Sequence, residues 1–101
     1  MATKTATTTK TEVKKEPFRP KLYKVVLLND DVTTMDFVVG ILVRIFEKQL
    51  TQAIEIMLKI HNTGSGVGGI YIKEIAKTKQ KAVLTAAKEA NFPLKCILEE
   101  E

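Results

Sequence analysis

Three side chains carry most of the chemistry in this sequence: the adjacent carboxylates Asp30 and Asp31 and the single histidine, His61. Carboxylates and an imidazole can ligate a metal ion or activate a hydrolytic water. Adjacent carboxylates on one turn point in different directions, however, and the spacing offers no nucleophile next to a base. We therefore expect no catalytic residue, no metal and no cofactor, and keep a metal-dependent hydrolase as an alternative that a metal assay tests.

Each of these residues also has a purely structural interpretation. Asp30 and Asp31 follow an apolar run and precede a helical pattern, where short polar side chains form turns and helix caps. His61 lies near the predicted end of a helix, where a polar side chain reaches water. The residues alone leave these interpretations open.

A third interpretation joins the polar residues to apolar residues on the predicted helices. The polar rim of a pocket would carry Asn29, Asp30 and Asp31. Its apolar lining would come from two helices and consist of Met35, Val38, Met57 and Ile60, beside His61. Such a pocket suits a free α-amino group next to a bulky apolar side chain, because an ammonium group brings three donors to Asn, Asp and imidazole acceptors.

Residues 64–69, GSGVGG, match the G-x-G-x-x-G pattern of dinucleotide-binding loops. That motif requires a strand before it and a helix after it, so that the helix N-terminus meets the pyrophosphate. Here the order is reversed, since a predicted helix precedes the glycines and a predicted strand follows them. The pattern therefore indicates a flexible loop with close backbone packing.

Hydrophobic periodicity and turn residues predict six elements. We expect strands over residues 23–28, 67–72 and 95–99, and helices over 35–48, 51–61 and 73–89. Thr33 or Thr34 can cap the first helix, and Thr51 can start the second. On the second helix, the residues that share the predicted apolar face are Ile54, Met57, Leu58 and His61. The order β-α-α-β-α-β predicts an α+β fold, a small three-stranded antiparallel sheet packed against three helices.

The net charge of +4 is unevenly distributed along the chain. Residues 1–24 hold seven basic and two acidic side chains, whereas residues 25–101 hold nine basic and ten acidic ones. The basic part is rich in Thr and Lys and poor in large apolar residues. We expect residues 1–21 to be a disordered tail and residues 22–101 to be one nearly neutral domain.

The composition also excludes several classes of protein. With 101 residues, the chain is too short for a multidomain enzyme, and no apolar run approaches the length of a membrane span. The N-terminus lacks the apolar stretch of a secretory signal, and the single cysteine cannot form an internal disulfide. These features predict a cytoplasmic protein, and we expect a monomer because no large apolar stripe remains once the helices are packed.

Residues 27–38, LLNDDVTTMDFV, resemble the LNDD-x-T-P-M-x-F-V signature of the ClpS adaptor family. Three further blocks follow in family order, at residues 56–61 (IMLKIH), 74–79 (EIAKTK) and 93–96 (PLKC). The resemblance begins at about Tyr23 and covers the rest of the chain. Four ordered blocks make it specific.

The resemblance implies an adaptor, not an enzyme. Members of this family bind proteins with a bulky hydrophobic N-terminal residue (Leu, Phe, Tyr or Trp) and deliver them to a ClpA- or ClpC-type Clp/Hsp100 unfoldase for proteolysis. The tail would engage the unfoldase during delivery. No nucleic acid or membrane is expected as a partner.

The resemblance also implies a role for individual residues. Asn29, Asp30 and His61 would hold the α-amino group of the substrate, supported by Asp31 and Thr33. The residues expected in the side-chain pocket are Met35, as a gate against β-branched side chains, Val38, Met57, Ile60 and Leu94. Glu74 and Lys79 match positions that dock the N-terminal domain of the unfoldase.

The chain departs from the family pattern at several positions. Thr34 replaces the usual proline, and because it keeps a capping hydroxyl we expect the change to alter stability more than specificity. Gly68 replaces a common cysteine, Lys77 a frequent acidic residue, and Ile60 a common valine.

A small nucleic-acid- or ribosome-associated protein is the alternative from another class. The basic tail would then be its electrostatic arm. The nearly neutral domain offers no basic face that would position bases, which weighs against this alternative.

Overall fold

The computed structural model describes residues 20–101; most of the expected tail, 1–21, lies outside this described part. The elements follow the expected order, which confirms the α+β class. They are β1 (Leu22–Leu28), α1 (Met35–Arg44), α2 (Leu50–Thr63), β2 (Ser65–Ile72), α3 (Lys73–Glu89) and β3 (Lys95–Glu100).

β1 is the central strand of the sheet, with β2 on one side and β3 on the other, both antiparallel to it. Side chains alternate between the two faces of a strand, and on β1 the fully buried ones are Val25 and Leu27. A β-bulge shifts the register with β2 between Val25 and Val26. Because both neighbours hold β1, the loop that follows Leu28 starts from a fixed point.

The helices pack on the face of the sheet that carries Val25 and Leu27. α1 packs on α2, α2 contacts β2, and α3 contacts all three strands. The buried cluster between sheet and helices consists of Val25, Leu27, Val38, Ile41, Leu42, Phe46, Ala53, Ile60, Ala76, Val83, Ala87, Leu94 and Cys96. Within residues 20–101, no helix is long and apolar enough to cross a membrane.

The buried face of α2 differs from the expected one. Its buried residues are Ala53 and Ile60, whereas Ile54, Leu58 and His61 are exposed. Apolar residues on this helix span more than one face, and the face that packs in the core is the one with Ala53 and Ile60. The apolar face expected through Ile54, Met57, Leu58 and His61 is therefore not the buried face, and an apolar stripe remains exposed after packing.

α1 is shorter than expected at its C-terminal end and capped as expected at its start. The Thr34 hydroxyl accepts a hydrogen bond from the Phe37 amide at 3.2 Å, so Thr34 is the N-cap. The helix ends at Arg44 and not at Lys48, because Glu47 adopts a left-handed conformation with φ of 56°.

The last turn of α1 is held by a side chain from α3. The Lys79 ammonium donates a hydrogen bond to the carbonyl of Ile45 at 2.7 Å and lies 5.6 Å from the centroid of the Tyr71 ring. A cation at the C-terminal end of a helix satisfies a carbonyl that has no partner within the helix and interacts favourably with the helix dipole. A contact between residues so far apart in sequence is invisible to local periodicity.

The second helix starts at Leu50, one residue before the expected Thr51, because the Gln52 side chain accepts a hydrogen bond from the Gln49 amide at 3.4 Å. Its C-terminal residue is followed by Gly64 with φ of 98°, a conformation that glycine adopts without strain.

The glycines of residues 64–69 lie at the end of α2 and in β2, where they allow close packing. A Cβ atom on Gly66 would lie 2.7 Å from Cγ1 of Ile60, and one on Gly68 would lie 2.8 Å from Cζ of Phe46. The Phe46 ring thus fills the space that a side chain at position 68 would occupy. The strand context is the one expected for packing glycines and not for a dinucleotide loop.

The contact between Lys79 and Ile45 leads to a prediction about stability. Lys79→Met keeps the aliphatic stem but leaves the Ile45 carbonyl without its donor, so we expect a loss of about 1–2 kcal/mol in the free energy of unfolding. Urea denaturation followed by circular dichroism measures this loss. Lys77→Met, on the exposed side of the same helix, is the control and should change stability by less than about 0.5 kcal/mol. Equal effects of the two substitutions would contradict the capping role.

Candidate functional site

A cavity of about 360 Å³ opens where the loop after β1 meets the start of α1 and the last turns of α2. Residues 29–34 form its polar side. Its remaining lining residues, from the two helices, are Met35, Val38, Met57, Ile60 and His61. The loop and the start of α1 are contiguous, but the last turns of α2 lie more than 20 residues further along the chain, so the cavity is a product of the tertiary structure.

The polar side of the cavity is shaped by Asp30. Its Oδ1 accepts hydrogen bonds from the amides of Val32 at 2.8 Å and Thr33 at 2.7 Å, and its Oδ2 accepts one from the Thr33 hydroxyl at 2.6 Å. Short polar side chains that bond the backbone two or three residues on form tight turns. The turn interpretation of Asp30 is therefore correct, whereas the helix cap is Thr34. Asp30 also lines the cavity.

A second contact fixes the loop to α2. The Asn29 amide donates a hydrogen bond to the carbonyl of Gly64 at 2.9 Å, directly after the helix ends. This bond brings Asn29 next to the helix that carries Met57, Ile60 and His61. The relative position of the polar rim and the apolar lining is thus fixed by a backbone hydrogen bond and not by a flexible side chain.

The electrostatics of Asp30 favour its ionised form. Burial by itself would raise the pKa of this carboxyl, but the hydrogen bonds from the Thr33 hydroxyl and from the amides of Thr33 and Val32 outweigh it. The net result is a pKa below the ordinary value of 3.8. At neutral pH the cavity therefore presents a fixed negative charge, which suits a cationic ligand.

The exposure of the apolar lining residues increases from the floor of the cavity to its mouth. Val38 and Ile60 are buried, Met57 is half-buried, and Met35 remains 45% exposed at the mouth. Val38 and Ile60 also belong to the buried core, so the floor of the cavity is as rigid as the core itself. Methionine is flexible and adapts to apolar ligands, which places the adaptable residues toward the opening.

Most of the pocket residues expected from the sequence are brought together here. The cavity lining contains Asn29, Asp30, Asp31, Thr33, Met35, Val38, Met57, Ile60 and His61. Leu94 is buried in the core and is not among the lining residues, so its place in the pocket stays a prediction. The lining also includes Val32 and Thr34, which sequence reasoning had not placed there. The available signal was their place in the chain, since Val32 lies within the turn closed by Asp30 and Thr34 follows that turn directly.

The two residues expected to dock an unfoldase lie on α3, outside this cavity. Glu74 is exposed in the first turn of the helix. Lys79 is partly buried, because its ammonium caps α1. Their docking role stays a prediction.

Other chemistry is sparse in the described part of the chain. In residues 20–101 no group of three or more His, Cys, Asp or Glu side chains is arranged to hold a metal ion. Cys96 is a free cysteine in the core, and burial raises the pKa of its thiol to about 12. The thiol is therefore protonated at neutral pH and is a weak nucleophile.

The fold is a small α+β domain, and its site is a cavity with an apolar floor and a carboxylate at its rim. The family model described as "ATP-dependent Clp protease adaptor protein ClpS" matches residues 18–97. The chain therefore belongs to the ClpS family, whose members are adaptors and not proteases. The resemblance found in the sequence is confirmed.

Curated relatives and a solved structure agree with this assignment. The ATP-dependent Clp protease adapter protein ClpS of Campylobacter jejuni (strain 81-176) is 62% identical over 82 residues, 81% of this chain and 85% of the relative. That of Desulfatibacillum aliphaticivorans is 50% identical over 91 residues, 90% of this chain and 88% of the relative. The structure of Agrobacterium tumefaciens ClpS2 bound to L-phenylalaninamide has 42% identity and a TM-score of 0.79, covering 82% of this chain and all of that one (100%).

The lowered pKa of Asp30 predicts a pH-dependent stability. Because the folded-state pKa lies below the ordinary 3.8, the ionised carboxylate stabilises the fold above that pH, and the contribution disappears as the pH falls below it. Asp30→Asn should cost about 1 kcal/mol at pH 6 and progressively less toward pH 3, as measured by urea denaturation at each pH.

Asp31→Asn is the matched control for this experiment, since Asp31 is the exposed neighbour in the same loop. It removes the same formal charge from the same loop but none of the hydrogen bonds that Asp30 accepts, so the difference between the two variants reports those bonds. A destabilisation by Asp30→Asn that stays constant down to pH 3 would contradict the proposed role of the charge.

Proposed function

We propose that this protein binds the free N-terminal residue of substrate proteins when that residue is Leu, Phe, Tyr or Trp, and delivers these substrates to a ClpA- or ClpC-type unfoldase. The observation that carries the proposal is the cavity itself, in which a fixed carboxylate borders an apolar floor. The two parts of the cavity correspond to the two parts of such a ligand.

The polar rim recognises the α-amino group. A protonated amine has three donors, and acceptors for them come from Asn29, Asp30 and His61. The Asp30 carboxylate has its orientation set by the turn before any ligand arrives, so little ordering cost falls on binding. Asp31 and Thr33 support the first peptide group of the substrate from the same loop.

The apolar floor recognises the side chain. Val38 and Ile60 close the bottom, while Met35 and Met57 flank the mouth. A Leu or aromatic side chain fits a cavity of about 360 Å³, whereas Ala would leave most of it empty. Met35 at the mouth is the residue that would exclude side chains branched at Cβ.

The ligand of the Agrobacterium relative agrees with this assignment. L-phenylalaninamide, to which that protein is bound in its structure, combines a free α-amino group with an aromatic side chain. Its amide replaces the carboxylate of a free amino acid and so resembles the first residue of a polypeptide. A ligand of this type is the one that the present cavity suits.

The expected affinity follows from ordinary magnitudes. Burial of a Leu or Phe side chain contributes roughly 1.5–3 kcal/mol, and each charge-assisted hydrogen bond about the same. Two or three such bonds, less the cost of ordering the peptide, give about −8 kcal/mol, close to micromolar affinity. Affinity in this range suits an adaptor that must release its substrate.

Delivery requires a second surface. Glu74 and Lys79 on α3 are the residues we propose for contact with the unfoldase, and neither lines the cavity. Substrate and unfoldase can therefore bind at the same time. Because Lys79 also caps α1, Glu74 is the residue whose substitution tests docking without loss of that cap.

The first test of this proposal compares peptides that differ at residue one. Free Phe and Leu peptides should bind, Ala peptides should not, and acetylation of the Phe peptide should weaken binding by about 100-fold or more, because the cation and two donors are lost. Fluorescence anisotropy measures each affinity. An acetylated peptide that binds as well as the free one would overturn the proposal.

Two variants of the protein locate the amine within the cavity. Asp30→Ala should weaken binding of the free Phe peptide by about tenfold or more, with folding checked by circular dichroism. Asp36→Ala removes an exposed carboxylate of α1 that does not line the cavity and should leave binding unchanged. Equal losses in the two variants would point to long-range charge and not to contact.

The pH dependence of binding is an independent test. The α-amino group of a peptide has a pKa of about 7.7–8.0, so its cationic fraction falls above that range. We therefore expect the affinity for Phe peptides to decrease between about pH 7 and pH 9.5. A flat profile would contradict recognition of the cation.

A further inference from the structure

The apolar residues that remain exposed on α2 recur at a constant spacing. Leu50, Ile54 and Leu58 are spaced four residues apart and are 60%, 39% and 44% exposed. Residues four apart on a helix are neighbours on one face. These three side chains, here named the α2 ridge, therefore form one continuous apolar line on the surface.

The α2 ridge is not part of the core. The core side of the same helix is formed by Ala53 and Ile60. Single exposed apolar residues are ordinary, whereas a continuous apolar surface of large side chains marks a contact with another molecule. Other large apolar side chains are also exposed in the described part of the chain, but these three form one line on a helix that lines the cavity.

The α2 ridge is continuous with the cavity. Met57 and His61 line the cavity, and they lie three residues beyond Ile54 and Leu58, respectively. Residues three apart on a helix are neighbours. The line of side chains therefore runs without a break from the cavity rim at His61 along the helix to Leu50 at its start.

We propose that the α2 ridge is a second subsite, which binds apolar side chains in the substrate segment that follows the N-terminal residue. This inference rests on the function proposed for the cavity. A chain whose first residue is held between α1 and α2 continues across the surface next to the rim, and α2 offers the apolar surface that adjoins the rim there.

The dimensions identify which substrate residues reach the α2 ridge. Along the helix, Ile54 lies about 10 Å and Leu50 about 16 Å from His61, at 1.5 Å per residue. An extended peptide advances about 3.4 Å per residue, so a chain anchored beside His61 reaches Ile54 with its fourth residue. Residue five or six reaches Leu50.

The charges beside the α2 ridge favour an apolar occupant and not a charged one. Glu55 and Lys59, one of each sign, follow Ile54 and Leu58 directly in sequence. Their opposite charges give the surface no net preference for acidic or basic side chains. Affinity for this surface must then come from burial of aliphatic area. The substrates expected to bind both sites have a bulky first residue and an apolar side chain near position four.

The test uses three ligands: L-phenylalaninamide and two six-residue peptides that begin with Phe and carry either Leu or Ser at position four. With the full chain, we expect the Leu peptide to bind about fivefold more tightly than the Ser peptide, as burial of part of one aliphatic side chain predicts. Isothermal titration calorimetry measures all three affinities. Moving the Leu from position two through six should place the largest gain at four or five.

Ile54→Gln and Ile75→Gln are the matched variants, because Ile75 is an isoleucine of similar exposure, 45%, on α3. Ile54→Gln should abolish the preference for Leu at position four and leave the affinity for L-phenylalaninamide unchanged. Ile75→Gln should preserve both. Glutamine keeps helix propensity, so neither variant is expected to unfold.

The outcomes separate this inference from the function proposed for the cavity. If L-phenylalaninamide fails to bind, the cavity assignment fails. If it binds but the Leu and Ser peptides bind equally at every position, the α2 ridge is not a substrate subsite and the inference alone is overturned. Self-association that disappears in Ile54→Gln would assign the α2 ridge to a second copy of the chain and would also overturn it.

Discussion

The carboxylate of Asp30 is the interaction on which the site depends. Its three hydrogen bonds to Val32 and Thr33 fold the chain back directly after the central strand and aim it into α1. The same bonds keep the carboxylate ionised, so one side chain sets both the shape and the charge of the cavity rim. A group that is bonded in this way is already in place before a ligand binds, which lowers the ordering cost of recognition.

The helix that supplies much of the cavity wall is held at both ends. Thr34 caps its first turn from the adjoining loop, and Lys79 caps its last turn from α3. Between these caps, Val38 faces the cavity while Ile41 and Leu42 pack in the core. The cap from Lys79 also links α3, the helix proposed to meet the unfoldase, with α1, which lines the cavity.

The features of this site suit binding and not catalysis. The cavity offers acceptors and apolar surface, and the buried thiol of Cys96 is kept protonated by its surroundings. The selectivity proposed for this cavity comes from complementarity to two adjoining features of a ligand, a cation and an apolar side chain. The α2 ridge, proposed as a second subsite, would extend the same principle along the surface, because it adds aliphatic area where the cavity ends.

The sequence by itself determined the order of the elements and the α+β class. It also narrowed the helix cap to Thr33 or Thr34 and offered a turn at Asp30, since these features depend on residues within a few positions of one another. It also indicated most cavity residues, by helical spacing and by resemblance. Only the tertiary structure decided that α1 ends at Arg44, where a lysine from α3 caps it, that Leu94 is buried in the core, and that Ala53 and not Ile54 faces the sheet. Each of these outcomes depends on contacts between segments far apart in the chain, and local periodicity does not contain that information.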